Sequence, residues 1–191
     1  MIVPALTIGV PASTSEDDLP ATLASLAASA ARTGAPYEVV VAVNGPDEPA
    51  PAVRGVETFA RAHGLPVLAE ERAAETAAVV RMVRLAPRSK VAAWNAIRAV
   101  ARAPVIVFAD ADVRVAPDAI PILVRRLATS PELAIVAGRE AAMLLPDDGL
   151  PARVAALPHR FDFGNVPGRL YALRAAALPE PLPATVLHED A

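Results

Sequence analysis

The sequence predicts a single α/β domain in which helices flank a mainly parallel sheet. Short apolar segments of strand length alternate with segments whose apolar residues recur at helical spacing, a pattern typical of such sheets. Residues 104–109 form an uninterrupted apolar run, as expected for a strand that is buried on both faces. The 191 residues are enough for one domain with a full core, and no change in composition divides them.

Each element follows from a local pattern. Strands are predicted where short runs rich in valine and isoleucine are bounded by glycine, proline or asparagine. Helices are predicted where apolar residues recur at spacings of three and four, as Leu19, Leu23 and Leu26 do. These patterns predict, in chain order, a strand at 6–11, a helix at 19–33, a strand at 37–43, a helix at 50–63, a strand at 65–68, a helix at 89–102, a strand at 104–109, a helix at 117–128 and a strand at 133–138.

Other stretches give weaker patterns. The alanine-rich residues 72–85 are ambiguous between a loop and a helix, and Pro87 interrupts them. From Leu144 onward proline and glycine become frequent and the periodicity fades, so the C-terminal third is predicted to be rich in loops. Ser15, with Asp18 three residues later, resembles a helix-start signature.

The composition excludes several kinds of protein. There is no cysteine, which rules out disulfides and thiolate metal sites. The net charge of −3 and the absence of basic clusters larger than pairs argue against nucleic acid as a partner. No apolar run approaches the roughly 18 residues of a transmembrane segment. Residues 1–4 lack the features of a signal peptide, and a cytoplasmic location is therefore expected.

Two carboxylates, Asp110 and Asp112, follow the apolar run at 104–109. The carboxyl ends of parallel strands are where open α/β sheets bind ligands. Oxygen ligands suit Mg²⁺ or Mn²⁺, and Mg²⁺ is typically held by one or two carboxylates together with substrate phosphates. The pair is therefore a candidate site for a metal-bridged phosphate; the alternative is that it only caps the helix predicted from Pro117. Lys90 also draws notice, because it is the single lysine among 18 basic residues.

Four segments occur in a characteristic order over nearly the whole chain. They are 7–11, 38–47 ending in Asn44-Gly45-Pro46-Asp47, 89–95 ahead of Asp110-Ala111-Asp112, and His188-Glu189-Asp190. In kind and order they resemble the family 2 glycosyltransferases, which are nucleotide-sugar-dependent enzymes of the GT-A fold. The resemblance implies that fold and an inverting transfer of a sugar from a nucleoside diphosphate to a hydroxyl acceptor, with Mg²⁺ or Mn²⁺ as cofactor.

The resemblance assigns the donor to residues 1–112. By this likeness Asp112 would contact the metal directly, and Asp110 would bind the ribose or the water shell of the metal. Lys90 would approach the phosphates. The other nucleotide-sugar-binding candidates implied by the resemblance are Pro11 and Asn44, for the base and ribose, and Asn95.

The resemblance assigns the acceptor to residues 113–191. Asp190 resembles the catalytic base that takes the proton from the acceptor hydroxyl, and Glu189 would position the acceptor. Residues 163–174 resemble a glycine-containing strand of the family, in which Gly168 would make room for donor or acceptor. Arg169 and Arg174 are expected to be surface residues.

The chain also departs from the family pattern. Ser13–Asp18 replaces an Asn-Glu pair that commonly follows the first strand, and Val43-Asn44 stands where an acid is common. Family members continue past the Glu-Asp motif, whereas this sequence stops at Ala191, so either it is truncated or it is a minimal version with an incomplete acceptor site.

Three other interpretations compete with this one. A non-catalytic domain of the same fold, binding a nucleotide sugar or a protein partner, is favoured by these departures and opposed by the intact acids. Haloacid dehalogenase-like phosphatases also have an Asp-x-Asp strand, but near the N-terminus and with a lysine downstream, the reverse of the order here. A dinucleotide-binding fold lacks its G-x-G-x-x-G segment.

Overall fold

The computed structural model describes residues 3–46, 50–69, 79–86, 88–139, 169–178 and 181–183. Seven strands and four helices lie in these ranges. They are β1 (Leu6–Ser13), α1 (Leu19–Ala31), β2 (Tyr37–Asn44), α2 (Pro51–Ala62), β3 (Val67–Ala69), β4 (Val80–Leu85), α3 (Lys90–Val100), β5 (Val105–Ala109), α4 (Ala119–Thr129), β6 (Ile135–Ala137) and β7 (Leu170–Arg174), with a short 3₁₀ turn at Ala175–Ala177.

The strands form one sheet in the order β3-β4-β2-β1-β5-β7-β6. The five strands from β3 to β5 in this order pair in parallel, and β7 pairs antiparallel with both β5 and β6. The predicted α/β class with a mainly parallel sheet is therefore confirmed. The parallel arrangement brings the ends of β1, β2 and β5 to one edge, which we call the carboxyl edge.

Helices cover both faces of the sheet. On one face α1, α2 and α4 pack over side chains such as Ile8, Val10 and Val41, all fully buried. On the other face α3 packs Trp94 and Ile97 against the side chains of β2 and β5. Burial on both faces explains why the strands of the sheet centre are almost continuous runs of apolar residues.

A glycine in β1 allows α3 to approach the sheet closely. A Cβ atom added at Gly9 would lie 2.6 Å from Ile97 Cγ2 and 3.2 Å from the ring of Phe108. These distances are shorter than van der Waals contact, so an alanine would push the helix or the ring away. The first strand is thus fixed in position under the helix that begins at Lys90.

The amino-terminal edge of the sheet holds a buried charge cluster. Glu38 is completely buried and accepts hydrogen bonds from Thr7 Oγ1 at 2.9 Å, from Arg81 Nε at 3.3 Å and from Arg102 Nη2 at 2.8 Å. The backbone amide of Arg102 also donates to Glu38, at 2.9 Å. The carboxylate therefore joins β1, β2, β4 and the chain that leads into β5.

The ambiguous stretch 72–85 contains a strand, because residues 80–85 form β4. The sequence prediction of a loop or helix was wrong there, and residues 70–78 lie outside the described part of the chain. Because arginines at 81 and 84 interrupt the apolar residues, the sequence pattern did not indicate a strand. Arg81 is 3 % exposed and is tolerated because Glu38 neutralises it from the neighbouring strand.

Several boundaries also differ from the predicted ones. Helix α1 begins at Leu19, as predicted, but ends at Ala31 instead of residue 33. The hydroxyl of Ser15 bonds the hydroxyl of Ser13, so Ser15 does not cap the helix. Strand β1 continues past Pro11 to Ser13, because it keeps pairing with β2 as far as Asn44. No helix within the described residues is long and apolar enough to cross a membrane.

Candidate functional site

The carboxyl edge of the sheet collects most of the predicted site residues that the structure describes. Asp110 follows directly on β5, Ala111 is buried with 7 % exposure, and Asp112 points away from the core with 58 % of its side chain exposed. Ala111 and Asp112 lie in the turn that directly follows β5. The two carboxylates therefore sit at the end of a rigid, buried element.

Lys90 lies against the first of these carboxylates. Its Nζ atom is 3.1 Å from Asp110 Oδ1. It stands at the first position of α3, whose start is fixed by Ser89, because the Ser89 hydroxyl accepts a hydrogen bond from the amide of Ala92 at 3.1 Å. The single lysine of the chain is thus held at the carboxyl edge.

Burial raises the pKa of the Asp110 carboxyl, and the positive charge of Lys90 offsets only part of that effect. Asp112 raises the same pKa further, and Arg169 lowers it. A carboxylate that is costly to ionise in the free protein gains most from an added cation. The electrostatics of Asp110 therefore favour a cationic ligand.

Asn44 joins three elements next to Lys90. Its side-chain amide donates to the carbonyl of Ala12 at 2.8 Å, and its side-chain oxygen accepts from the amide of Ser89 at 3.0 Å. The residue is 6 % exposed, and both polar ends of its side chain are used within the protein. Asn44 consequently fixes the start of α3 relative to β1 and β2. Contact of Asn44 with the base and ribose stays a prediction.

The turn after β5 is tied to the start of β7. The amide of Asp110 donates to the carbonyl of Arg169 at 3.0 Å, and Arg169 Nη1 is 3.7 Å from Asp112 Oδ2. Sequence reasoning treated Arg169 only as a surface residue. It is exposed, as expected, but it adds a positive charge beside the carboxylate pair, and only the pairing of distant strands reveals this.

Glu16 was not singled out from the sequence. Burial raises its pKa, and the negative charge of Asp112 raises it further, so the loop between β1 and α1 brings a third carboxylate near the pair. Its place in the loop after the first strand was a signal that could have identified it, because that loop also ends at the carboxyl edge.

Aromatic rings pack next to the carboxylate pair. Trp94 stacks on Phe108 with ring centroids 4.7 Å apart, and Phe108 stacks on Tyr171 at 5.5 Å. The indole N–H of Trp94 donates to the Tyr171 hydroxyl at 2.6 Å, and burial raises the pKa of that hydroxyl. The stacked rings hold together α3, β5 and β7, the elements from which the site is built.

The remaining candidates are more scattered. Asn95 exchanges two hydrogen bonds with the backbone of Leu182, at 2.8 and 2.9 Å, which anchors residues 181–183 to α3. Pro11 lies in β1 and is half-buried. Gly168, Glu189 and Asp190 lie outside the described residues.

Arg174 was expected at the surface, but it is half-buried and donates to the carbonyls of Leu133 and Leu127, because it closes the end of α4.

The donor set fits a hard divalent cation. Asp110 and Asp112 offer carboxylate oxygens at one edge, and Lys90 and Arg169 provide positive charge beside them. Within the described residues no group of three acidic or histidine side chains is arranged to enclose a metal. A cation here would therefore take its other ligands from water and a bound diphosphate, which is the usual arrangement for Mg²⁺.

A known protein family matches most of this chain. Residues 7–165 match the sequence profile described as Glycosyl transferase family 2. The chain belongs to this family. None of the curated proteins matches the sequence.

Several solved structures share the fold of this chain. A mannosyltransferase from Pyrobaculum calidifontis, in complex with GDP-Man and Mn²⁺, superposes with a TM-score of 0.67 at 20 % identity over 97 % of this chain and 49 % of that one. Residues 1–349 of S. aureus TarS give 0.57 at 14 % identity over 91 % and 48 % of the two chains.

Glucosyl-3-phosphoglycerate synthase from Mycobacterium tuberculosis, in complex with Mn²⁺, UDP and phosphoglyceric acid, gives a TM-score of 0.56 at 18 % identity. The match covers 92 % of this chain and 57 % of that one. The family 2 chain described here therefore spans about half the length of these three structures. Its GT-A fold is the fold predicted from the sequence.

Proposed function

We propose that this family 2 chain is the catalytic domain of a glycosyltransferase that takes a sugar from a nucleoside diphosphate and passes it to a hydroxyl acceptor. The observation that carries the proposal is the carboxylate pair at the end of β5, with Lys90 Nζ 3.1 Å from Asp110. A nucleoside diphosphate is a poor leaving group until its developing negative charge is neutralised. Lys90 and a cation held by Asp110 and Asp112 are the groups that would provide this.

Each residue has a separate part in this proposal. Asp112 would hold Mg²⁺ or Mn²⁺ directly, and Asp110 would bind the ribose or the water shell of the metal. The ion, when bound, supplies positive charge at the diphosphate. Lys90 would release Asp110 and turn to the phosphates, since its side chain is 34 % exposed and has room to move. Support comes from the Pyrobaculum structure, whose complex contains both GDP-Man and Mn²⁺.

The acceptor half of the mechanism rests on the family resemblance. Asp190 is proposed as the base that takes the hydroxyl proton in an inverting transfer, with Glu189 positioning the acceptor and Gly168 making room beside it. The division into a donor part, residues 1–112, and an acceptor part, residues 113–191, belongs to the same proposal, as does a cytoplasmic location.

The donor site is tested by thermal unfolding with a panel of nucleoside diphosphates and nucleotide sugars, each with and without Mn²⁺. A ligand present at about 100 times its Kd stabilises the native state by about 2.7 kcal/mol, which raises the midpoint by on the order of 5–10 °C in a domain of this size. The increase should need both one nucleotide and the metal, and it should disappear in Asp112→Asn. Glu132→Gln removes an exposed carboxylate outside the site and should keep it. No increase with any nucleotide would contradict the proposal.

Catalysis is distinguished from binding alone by Asp190→Ala. An enzyme should lose transfer of the sugar in this variant and keep the nucleotide-dependent stabilisation. A wild-type chain that binds the nucleotide and transfers sugar to no acceptor tested would instead favour a non-catalytic domain of the same fold.

A further inference from the structure

A large groove begins beside the carboxylate pair. It has a volume of about 1220 Å³ and lies between α4, the turn after β5, and strands β6 and β7. Asp112 and Arg169, which pair with each other, form part of its wall. A molecule in the groove would therefore reach the proposed donor site, and its volume slightly exceeds the roughly 300–1,000 Å³ of a common small-molecule site.

The charged residues of the groove are mainly positive. Five arginines and two aspartates line it. They are Arg114, Arg125, Arg126, Arg139, Arg169, Asp112 and Asp118. Some of this charge is already balanced, since Arg114 Nη2 is 3.2 Å from Asp18 and Arg169 pairs with Asp112.

Two further arginines keep their charge available. Arg125 and Arg126 are exposed on α4. The ion pairs of the described residues include neither of them. The groove thus presents an excess of positive charge to whatever enters it, and arginine pairs well with phosphate or carboxylate oxygens.

The rest of the groove is apolar. Its wall includes Val113, Leu123, Val136 and Leu170, and Ile122 is 45 % exposed on the first turn of α4 that faces it. Ligand pockets are typically lined by apolar side chains with a small number of polar or charged groups among them. The groove therefore combines an aliphatic wall with a cationic rim.

We infer that this groove binds the acceptor, and that the acceptor carries an anionic phosphate group and an aliphatic portion in addition to its hydroxyl. That the bound molecule is an acceptor rests on the proposed function. That the groove binds an aliphatic phosphate does not. Arg125 and Arg126 would bind the phosphate, and Ile122 would contact the aliphatic portion. The hydroxyl would then lie on the side of Asp112, where the donor is proposed to bind.

The test measures binding of octyl phosphate by isothermal titration calorimetry, below the concentration at which it forms micelles. Octyl glucoside has the same chain without the charge, and glycerol 3-phosphate has the charge without the chain. Octyl phosphate should bind more tightly than either. The double variant Arg125→Gln/Arg126→Gln should weaken it by about tenfold or more, as expected for loss of charge-assisted hydrogen bonds.

Two further variants make the result specific. Arg54→Gln changes an exposed arginine on α2, outside the groove, and should leave octyl phosphate binding unchanged. Ile122→Ser should weaken octyl phosphate and leave glycerol 3-phosphate unchanged. Equal binding of octyl phosphate and octyl glucoside, or equal binding by wild type and the double arginine variant, would overturn the inference.

Failure of the inference and failure of the proposed function are separable. Stabilisation by a nucleotide with Mn²⁺ should be the same in wild type and in Arg125→Gln/Arg126→Gln. If it is present while octyl phosphate does not bind, the donor site stands and the inference is overturned. If octyl phosphate binds through the arginines while no nucleotide binds, the groove stands and the proposed function fails.

Discussion

Replacing Glu38 by alanine should destabilise the protein strongly, because this carboxylate is completely buried and neutralises arginines from two other segments. The side chain of Arg81 is 4 % exposed, so Glu38→Ala would remove a close ion-pair partner from a charge that stays buried. Arg102 is 27 % exposed and can turn to water, so the loss should come mainly from Arg81.

The expected loss is about 3–5 kcal/mol, the usual cost of removing one partner of a buried ion pair. That is a large part of the roughly 5–15 kcal/mol by which a domain is stable. In thermal unfolding it corresponds to a midpoint lower by about 6–20 °C. Urea unfolding of wild type and variant, with Glu57→Ala on the exposed face of α2 as control, measures it directly. The control should stay within about 0.5 kcal/mol of wild type.

A second variant separates the buried charge from the loss of packing. Changing Glu38 and Arg81 to methionine together removes both charges and keeps much of the volume, so it should be at least about 1 kcal/mol more stable than Glu38→Ala. If Glu38→Ala loses less than about 1 kcal/mol, or if the double variant is the less stable of the two, the reasoning about the buried charge of Arg81 is refuted.

Two other predictions concern the carboxyl edge and the core beneath it. Because burial raises the pKa of Asp110 above 3.8, the folded state holds its proton more tightly than the unfolded chain, and stability falls as pH rises from that value through the raised pKa. Without divalent cations, Asp110→Asn should therefore match or exceed wild type in unfolding midpoint at neutral pH and lose this advantage in acid; a lower midpoint at neutral pH would contradict it. Gly9→Ala should cost about 1–3 kcal/mol in urea unfolding by overpacking against Ile97 Cγ2, and it should cost less in a background of Ile97→Ala, which lacks that atom; an unchanged midpoint would show that α3 yields easily.

Much of the fold could be predicted because its signals are local. The apolar run at 104–109 and the leucine stripe of α1 each define one element without reference to the rest of the chain. Strand β4 could not be found in this way, since Arg81 is compatible with a buried strand only when Glu38 lies beside it, 43 residues away. The prediction that Arg174 lies at the surface failed for the same reason, because its hydrogen bonds go to carbonyls at the end of α4.

The site was predicted unevenly for a related physical reason. Asp110 and Asp112 are adjacent to a strand whose direction places them at the carboxyl edge, so composition and order were enough. The separation of 3.1 Å between Lys90 and Asp110 depends on how Ser89 and Asn44 fix the start of α3, and spacing in the sequence does not encode that. The charge that Arg169 brings to Asp112 depends on β7, which pairs antiparallel with β5 across a long sequence separation.

The buried charge of Glu38 and the carboxylates of Asp110 and Asp112 lie at opposite ends of the strands. For laboratory evolution this separation is an advantage. Libraries limited to the turns at the carboxyl edge would change ligand contacts without disturbing the ion pairs of Glu38 at the amino-terminal edge. Positions 13–18 and 113–118 are then the places to diversify, and the amino-terminal ends of the strands are the places to leave alone. A screen built in this way would search specificity while losing few clones to misfolding.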